Sequence, residues 1–225
     1  MSTLELEEIL LHRDDDNVMY DRTQRNMKFV IVGDKNVGKS ALCRRLVADT
    51  FSNFYTESID VNYHTTNFTT DGTNVLLQHL DIAGFQRLTG LTAQYYQGSV
   101  GALVVFDLTS EKTLETAELW KQDIDAKCCT AQKQKIPCLL VGTKLDLQGK
   151  HEFCKTTGEL EQYAKDHNYI GFIAVSSLDG TDVRTAFEKL ISYVLSNRIE
   201  PHDVPMDTDD DEEGKGFFAK YFCCC

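Results

Sequence analysis

Eight consecutive residues, Gly33-Asp34-Lys35-Asn36-Val37-Gly38-Lys39-Ser40, carry the pattern G-x-x-x-x-G-K-S. Glycines let a backbone wrap closely around an anion, and amides opening a helix, backed by the macrodipole, favour negative charge. A lysine after the second glycine reaches the outer phosphates of a nucleoside triphosphate, and the next hydroxyl is a ligand for Mg²⁺. The pattern arises by chance in on the order of one chain in a hundred. Here it follows an apolar strand, Lys28–Val32, and opens a helix-length stretch at 39–49 that begins Lys39-Ser40-Ala41. Far downstream, Thr143-Lys144-Leu145-Asp146 follows a second apolar strand, Ile136–Gly142. That is the carboxyl end, where ligands gather in open α/β sheets. One carboxylate accepts two adjacent donors at once. Guanine presents N1–H and N2–H side by side and adenine does not, so Asp146 points to a guanine base.

The rest of the chain must supply a scaffold that brings these segments together. Near-continuous apolar runs occur at Phe29–Val32, Ala102–Phe106, Cys138–Val141 and Phe172–Val175, as expected of parallel strands buried on both faces. Helix-length stretches at 39–49, 111–127, 156–167 and 181–197 alternate with them, which predicts βαβ units and an α/β fold with helices on both sheet faces. Residues 59–69 and 74–81 also read as strands. Thr70-Asp71-Gly72-Thr73 between them supplies the positive φ of a tight hairpin, so this pair should be antiparallel.

Composition bounds the function. Of 225 residues, 42% are hydrophobic and 10% aromatic, enough for a real core, and three prolines exclude a proline-rich scaffold. Acids outnumber bases 35 to 23, which disfavours sequence-independent binding to nucleic acid. The excess is uneven. Residues 1–27 carry seven acids and three bases, residues 201–225 seven and two, leaving 21 and 18 for 28–200. Two acidic appendages thus flank one near-neutral domain. The first reads as either a short amphipathic helix, capped by Ser2-Thr3-Leu4-Glu5, or a frayed tail. In the second, Asp207-Thr208-Asp209-Asp210-Asp211-Glu212-Glu213 reads as a solvated, self-repelling linker. The acidic start lacks a signal peptide's basic region, and no run of eighteen apolar residues predicts a membrane helix. Cys43, Cys128, Cys129, Cys138 and Cys154 have no paired metal-ligand spacing and are expected to be reduced thiols. The six histidines likewise lack metal-ligand spacing.

Taken together, from about Lys28 to Asn197, these residues resemble the Ras superfamily of small GTPases, and within it the Rab family. The resemblance implies a P-loop GTPase domain over 28–200, with a six-stranded mostly parallel sheet and one antiparallel strand. Asp81-Ile82-Ala83-Gly84 resembles the family's D-x-x-G, implying that Asp81 holds Mg²⁺ through water and the Gly84 amide meets the γ-phosphate. Phe51-Ser52-Asn53-Phe54-Tyr55-Thr56-Glu57-Ser58-Ile59 resembles switch I. By that analogy Phe51 packs at the guanine edge, Tyr55 closes over the phosphates, and Ser58 joins Ser40 as a Mg²⁺ hydroxyl. Ser58 stands where the family usually has threonine, keeping the donor atom without the methyl. Ser176-Ser177-Leu178 resembles the S-A-K loop whose amides contact guanine O6. A backbone contact tolerates Ser177, while Leu178 keeps only the apolar part of the lysine's contact.

The Rab branch is indicated by Ile59-Asp60-Val61-Asn62-Tyr63, which is similar to I-G-V-D-F, and by Arg87 to Gly98. Trp120-Lys121-Gln122-Asp123-Ile124-Asp125-Ala126-Lys127 resembles the subgroup of lysosome-related and autophagic compartments. By the same resemblance Ile59, Tyr63, Leu80, Phe85 and Tyr95 face effectors. Tyr63, Leu80 and Tyr95 would form the triad linking the switches, and leucine in place of tryptophan removes a large hot-spot surface.

Switch II departs from the family. Where Rabs read W-D-T-A-G-Q-E, this chain reads Leu80-Asp81-Ile82-Ala83-Gly84-Phe85-Gln86. Phe85 thus replaces the glutamine that orients the attacking water, and phenylalanine has neither donor nor acceptor. Gln86 lies one residue late. Lys35 occupies a position where bulky side chains disturb the transition state, though a lysine there can also imitate a cationic finger. The expectation is Mg²⁺-dependent GTP and GDP binding with very slow hydrolysis, using Lys39 and, if any glutamine serves, Gln86. A non-cycling, GTP-bound recruitment module stays open beside it.

The chain ends Phe222-Cys223-Cys224-Cys225, which fails the C-a-a-X pattern but contains the C-C and C-x-C spacings of Rab termini. Two lipids on Cys223, Cys224 and Cys225 would make a stable anchor. The acidic run gives an anionic leaflet nothing to attract, so anchoring is expected to be lipidic, helped by Phe217, Phe218, Tyr221 and Phe222. The resemblance also implies partners: an exchange factor, a TBC-type GTPase-activating protein, effectors, Rab escort protein and GDP-dissociation inhibitor. It places a monomer on the cytoplasmic face of an endosomal, lysosomal or vesicular membrane, with a cytosolic pool.

Overall fold

The structure, a computed structural model, describes residues 24–52, 61–84 and 92–201. Its strands are β1 (Gln24–Gly33), β2 (Asn62–Thr70), β3 (Thr73–Asp81), β4 (Gly101–Asp107), β5 (Cys138–Thr143) and β6 (Phe172–Ala174). Five helices join them: α1 (Lys39–Ala48), α2 (Thr92–Tyr96), α3 (Glu111–Lys127), α4 (Thr157–Asp166) and α5 (Val183–Ser196). The sheet order is β2-β3-β1-β4-β5-β6, with every pairing parallel except β2 against β3.

The apolar runs are continuous because alternate side chains serve two cores. Phe29, Ile31, Leu103, Val105, Leu139 and Val141 pack with α1 and α5 on one face. Val30, Val32, Val104, Phe106 and Leu140 pack with α3 and α4 on the other, around the fully buried Trp120. The hairpin joins β2 to β3 through Asp71 (φ 51°) and Gly72 (φ 74°), the left-handed pair a two-residue turn needs. Strand β1 starts at Gln24 rather than at Lys28, because Gln24, Arg25 and Asn26 pair with Asn74, Val75 and Leu76 of β3. The polar side chains of Gln24 and Arg25 hid that extension. At this end of β1 Arg25 meets Glu200 at 3.0 Å, and Pro201, next in sequence to Glu200, bridges Thr130.

Strand β1 is where the order reverses, its neighbours β3 and β4 leading to opposite halves of the sheet. Ligands of open α/β sheets bind in the crevice such a reversal leaves at the carboxyl ends, and Gly33 sits there.

Candidate functional site

The turn from β1 into α1 is built on glycine. Gly33 has φ 148°, and a Cβ there would lie 2.2 Å from the Val105 carbonyl oxygen, so β4 leaves no room for a side chain. Gly38, at φ 97°, caps α1 without a side-chain bond, and a helix start favours an incoming anion. Val37 is fully buried beneath the loop. Lys39 is buried too, its Nζ donating to the carbonyls of Gly33 (3.0 Å) and Asp34 (2.7 Å). Burial lowers the Lys39 pKa, while the nearby carboxylates of Asp81 and Asp34 pull it back up. The ammonium is therefore held at the loop's mouth by weak neutral acceptors that a phosphate oxygen can replace.

Asp81, at the end of β3, faces this lysine. It is 1% exposed, and neither carboxylate oxygen has a hydrogen-bond partner in the protein. A buried carboxylate without donors is costly, so its geometry calls for a hydrated cation. No group of three or more His, Cys, Asp or Glu that could hold a metal ion occurs among the described residues. Mg²⁺ fits, since it keeps its water and takes one or two side chains plus substrate phosphates. Gly84 lies hard against the phosphate loop: a Cβ there would come 2.4 Å from the Lys35 amide nitrogen. D-x-x-G and the glycine loop are thus in backbone contact.

On the base side, Thr143 closes β5 and is buried, its hydroxyl donating to the carbonyls of Val37 (2.5 Å) and Phe106 (3.0 Å). That bond ties the base loop to the phosphate loop across 106 residues. Lys144 adopts φ 65° and its Nζ meets Asp107 Oδ2 at 2.7 Å. Burial alone would raise the Asp107 pKa, but hydrogen bonds from Lys144 and from Thr109 outweigh it and hold the carboxyl below its ordinary value. The Ser176 hydroxyl donates to Asp146 Oδ1 at 2.9 Å, fixing the carboxylate's rotation and leaving Oδ2 for a ligand. The loop that follows β6 closes on itself, Gly180 N–H to the Ser176 carbonyl and Ser176 N–H to that of Thr181.

The structure therefore brings Gly33, Lys39, Asp81, Gly84, Thr143, Lys144, Asp146 and Ser176 into one crevice. Lys35 and Asn36 are exposed on the loop, and Asp34 accepts the Lys35 amide at 2.8 Å. Ser40 and Ala41 are half-buried in the first turn of α1. Phe51 is 39% and Leu178 44% exposed at the rim, while Ser177 is buried. Tyr55, Ser58, Ile59, Phe85, Gln86 and Cys223 to Cys225 lie outside the described residues. Leu80 is 1% exposed, packed into the core on the α3 side with Val61 and Tyr95 against the same cluster, whereas Tyr63 opposite it is 68% exposed. Leu80 thus lies with Val30 and Val32 on the α3 side of the sheet, between the buried His79 and Asp81. Cys43, Cys128, Cys138 and Cys154 are free thiols, and Cys129 is not among them.

Two residues that no motif flagged complete the site. Asp107 holds Lys144, and Arg45 of α1 reaches the carbonyls of Ser177 and Leu178. These contacts join positions 37 and more than 130 residues apart, so local spacing could not reveal them.

Residues 28–196 match the Ras family. The chain is 36% identical over 174 residues to Ras-related protein Rab-32A of Dictyostelium discoideum, covering 76% of this chain and 79% of that protein. It is 31% identical over 201 residues to human Ras-related protein Rab-32, covering 88% of each. To human Ras-related protein Rab-7L1 it is 30% identical over 174 residues, 77% of this chain and 84% of the other.

Proposed function

This chain belongs to the Ras family of small GTPases, as a divergent Rab related to the Rab-32 and Rab-7L1 group, and from that premise we propose a Mg²⁺-dependent guanine-nucleotide switch with very slow intrinsic hydrolysis. Nucleotide binding and regulation of membrane traffic come with the family. The finer reading rests on one observation above all: Lys39, the partnerless Asp81 carboxylate and the Ser176-oriented Asp146 converge on a single crevice.

In this reading Asp146 accepts the two donors of the purine, and the amides of 33–39 with Lys39 bind the phosphates. Ser40 and Ser58 would hold Mg²⁺ through their hydroxyls and Asp81 through water, and the bound metal would supply charge neutralisation at the phosphates. Gly84 brings an N–H to the γ-phosphate. Phosphoryl transfer is nearly all positioning and charge stabilisation, and the position that should align water carries Phe85. Lys35, exposed beside Gly84, adds bulk where the transferring group must flatten. Slow turnover follows, with Gln86 next in sequence as a candidate substitute and a TBC-type partner supplying glutamine and arginine in trans. Single-turnover hydrolysis by the full chain and by Phe85→Gln tests this. The variant should be faster by about tenfold or more, and equal, fast rates in both would overturn it.

Phe85 favours a second reading, a GTP-held recruitment module switched by exchange or abundance. The nucleotide on protein purified from cells separates the two: mostly GDP means cycling, mostly GTP means the module. In both, the domain over 28–200 is flanked by acidic segments 1–27 and 201–225. Two lipids on Cys223, Cys224 and Cys225 anchor it to the cytoplasmic face of an endosomal, lysosomal or vesicular membrane. Rab escort protein and GDP-dissociation inhibitor would handle the lipidated chain. No described helix is long and apolar enough to cross a membrane.

A further inference from the structure

Arg45 sits in α1, six residues beyond Lys39, and its guanidinium grips the loop on the base side. Nε donates to the Ser177 carbonyl at 2.8 Å and Nη2 to the Leu178 carbonyl at 2.5 Å. Nη1 donates to the Asp49 carbonyl at 3.0 Å and to its carboxylate at 2.9 Å. The arginine side chain is 13% exposed while that of Asp49 is 91% exposed, so the carbonyl contacts lie on the sheltered side of the fork.

The peptide unit is planar, with its C=O and N–H pointing in opposite directions. Holding the Ser177 carbonyl therefore fixes where the Leu178 N–H points. The loop's internal bonds, Ser176 N–H to Thr181 and Gly180 N–H to Ser176, close the ring on either side without touching that peptide. Among the described residues the Leu178 amide donates no hydrogen bond of its own. An oriented N–H that the protein does not use, at the exposed rim of a loop joined to Asp146 through Ser176, is free to donate to a ligand.

We infer that Arg45 is a positioning residue for purine recognition, clamping the Ser177–Leu178 peptide so that its N–H meets the purine's 6-oxygen. The inference rests on the guanine-nucleotide reading above and extends it to a residue on the phosphate helix. One helix thereby carries the phosphate lysine at its start and the guide of the base loop one and a half turns later. Phosphate and base subsites are thus coupled through α1. Lysine cannot replace this arginine fully, because a single ammonium lacks the fork that spans two carbonyls.

The test compares GDP with its 6-thio analogue, which keeps both N–H donors but offers a weakly accepting sulfur for O6. Affinities are measured with the full chain, Arg45→Ala and Arg45→Lys. Arg45→Ala should weaken GDP by about tenfold or more and the 6-thio analogue by less than about threefold. Arg45→Lys should show the same asymmetry with a smaller loss of GDP, and it carries the test if the alanine variant fails to fold. Equal weakening of both nucleotides, or of neither, would overturn the assignment while leaving guanine binding intact. A parent chain that binds no GDP would instead remove the reading beneath it.

Discussion

At the scale of single residues, the site depends on groups left deliberately unsatisfied by the fold. Asp81 keeps two buried oxygens without donors beside a buried ammonium, an arrangement that a hydrated cation between protein and phosphate would complete. In the parent chain, chelating Mg²⁺ should therefore speed GDP release by tenfold or more, on the order of one lost charge-assisted contact. Asp81→Asn should release GDP quickly from the outset and respond little to chelator, as nucleotide-release kinetics would read. A large chelator response in the variant would place the metal elsewhere. Gly33→Ala is expected to abolish binding, because its Cβ would be driven against the Val105 carbonyl at 2.2 Å in a φ that alanine avoids. Motif spacing exposed Lys39 and Asp146, each within a short run of residues, and the family resemblance exposed Asp81. Asp107 and Arg45 carried no such signal: an aspartate ending a strand and an arginine in a helix look ordinary until the chain is folded.

Among the elements, the strands were readable because burial on both faces leaves unbroken apolar runs, and the hairpin because Asp71-Gly72 can occupy positive φ. Polar side chains on paired backbone hid the pairing of Gln24 to Asn26 with β3. The same strand carries a pH-sensitive contact. His79 is fully buried, stacked 5.3 Å from His64 and tilted 5.5 Å from Phe187 of α5, with Thr66 Oγ1 3.2 Å from its Nε2. Burial first, then the neighbouring His64, lowers its pKa to about 4. A base with a depressed folded pKa stays neutral in the folded state while the unfolded chain takes up a proton below about 6.5. Stability from this group is thus complete above pH 6.5 and falls as acid is added down to about 4, by about 3 kcal/mol in all. Denaturant titrations should show this acid limb flattened in His79→Leu. An unchanged slope between pH 6.5 and 4 would assign the acid sensitivity to other groups.

For the molecule as a whole, two cores on opposite sheet faces fix α1 and the loops after β3, β5 and β6 around one crevice, and the Thr143–Val37 and Arg45–Ser177 bonds lock phosphate and base sides together. Selectivity should then be large, because a site whose buried donors and acceptors match one base rejects the other by leaving them unpaired. Relationship to the Rab-32 and Rab-7L1 proteins supplies the family. Affinity for the ligand is the property on which switch, anchor and effector readings all stand. The deciding measurement is a calorimetric titration of the nucleotide-free full chain, in Mg²⁺, with GDP and with ADP. The account predicts GDP binding at least about a thousandfold tighter than ADP, and comparable affinities for the two would contradict it.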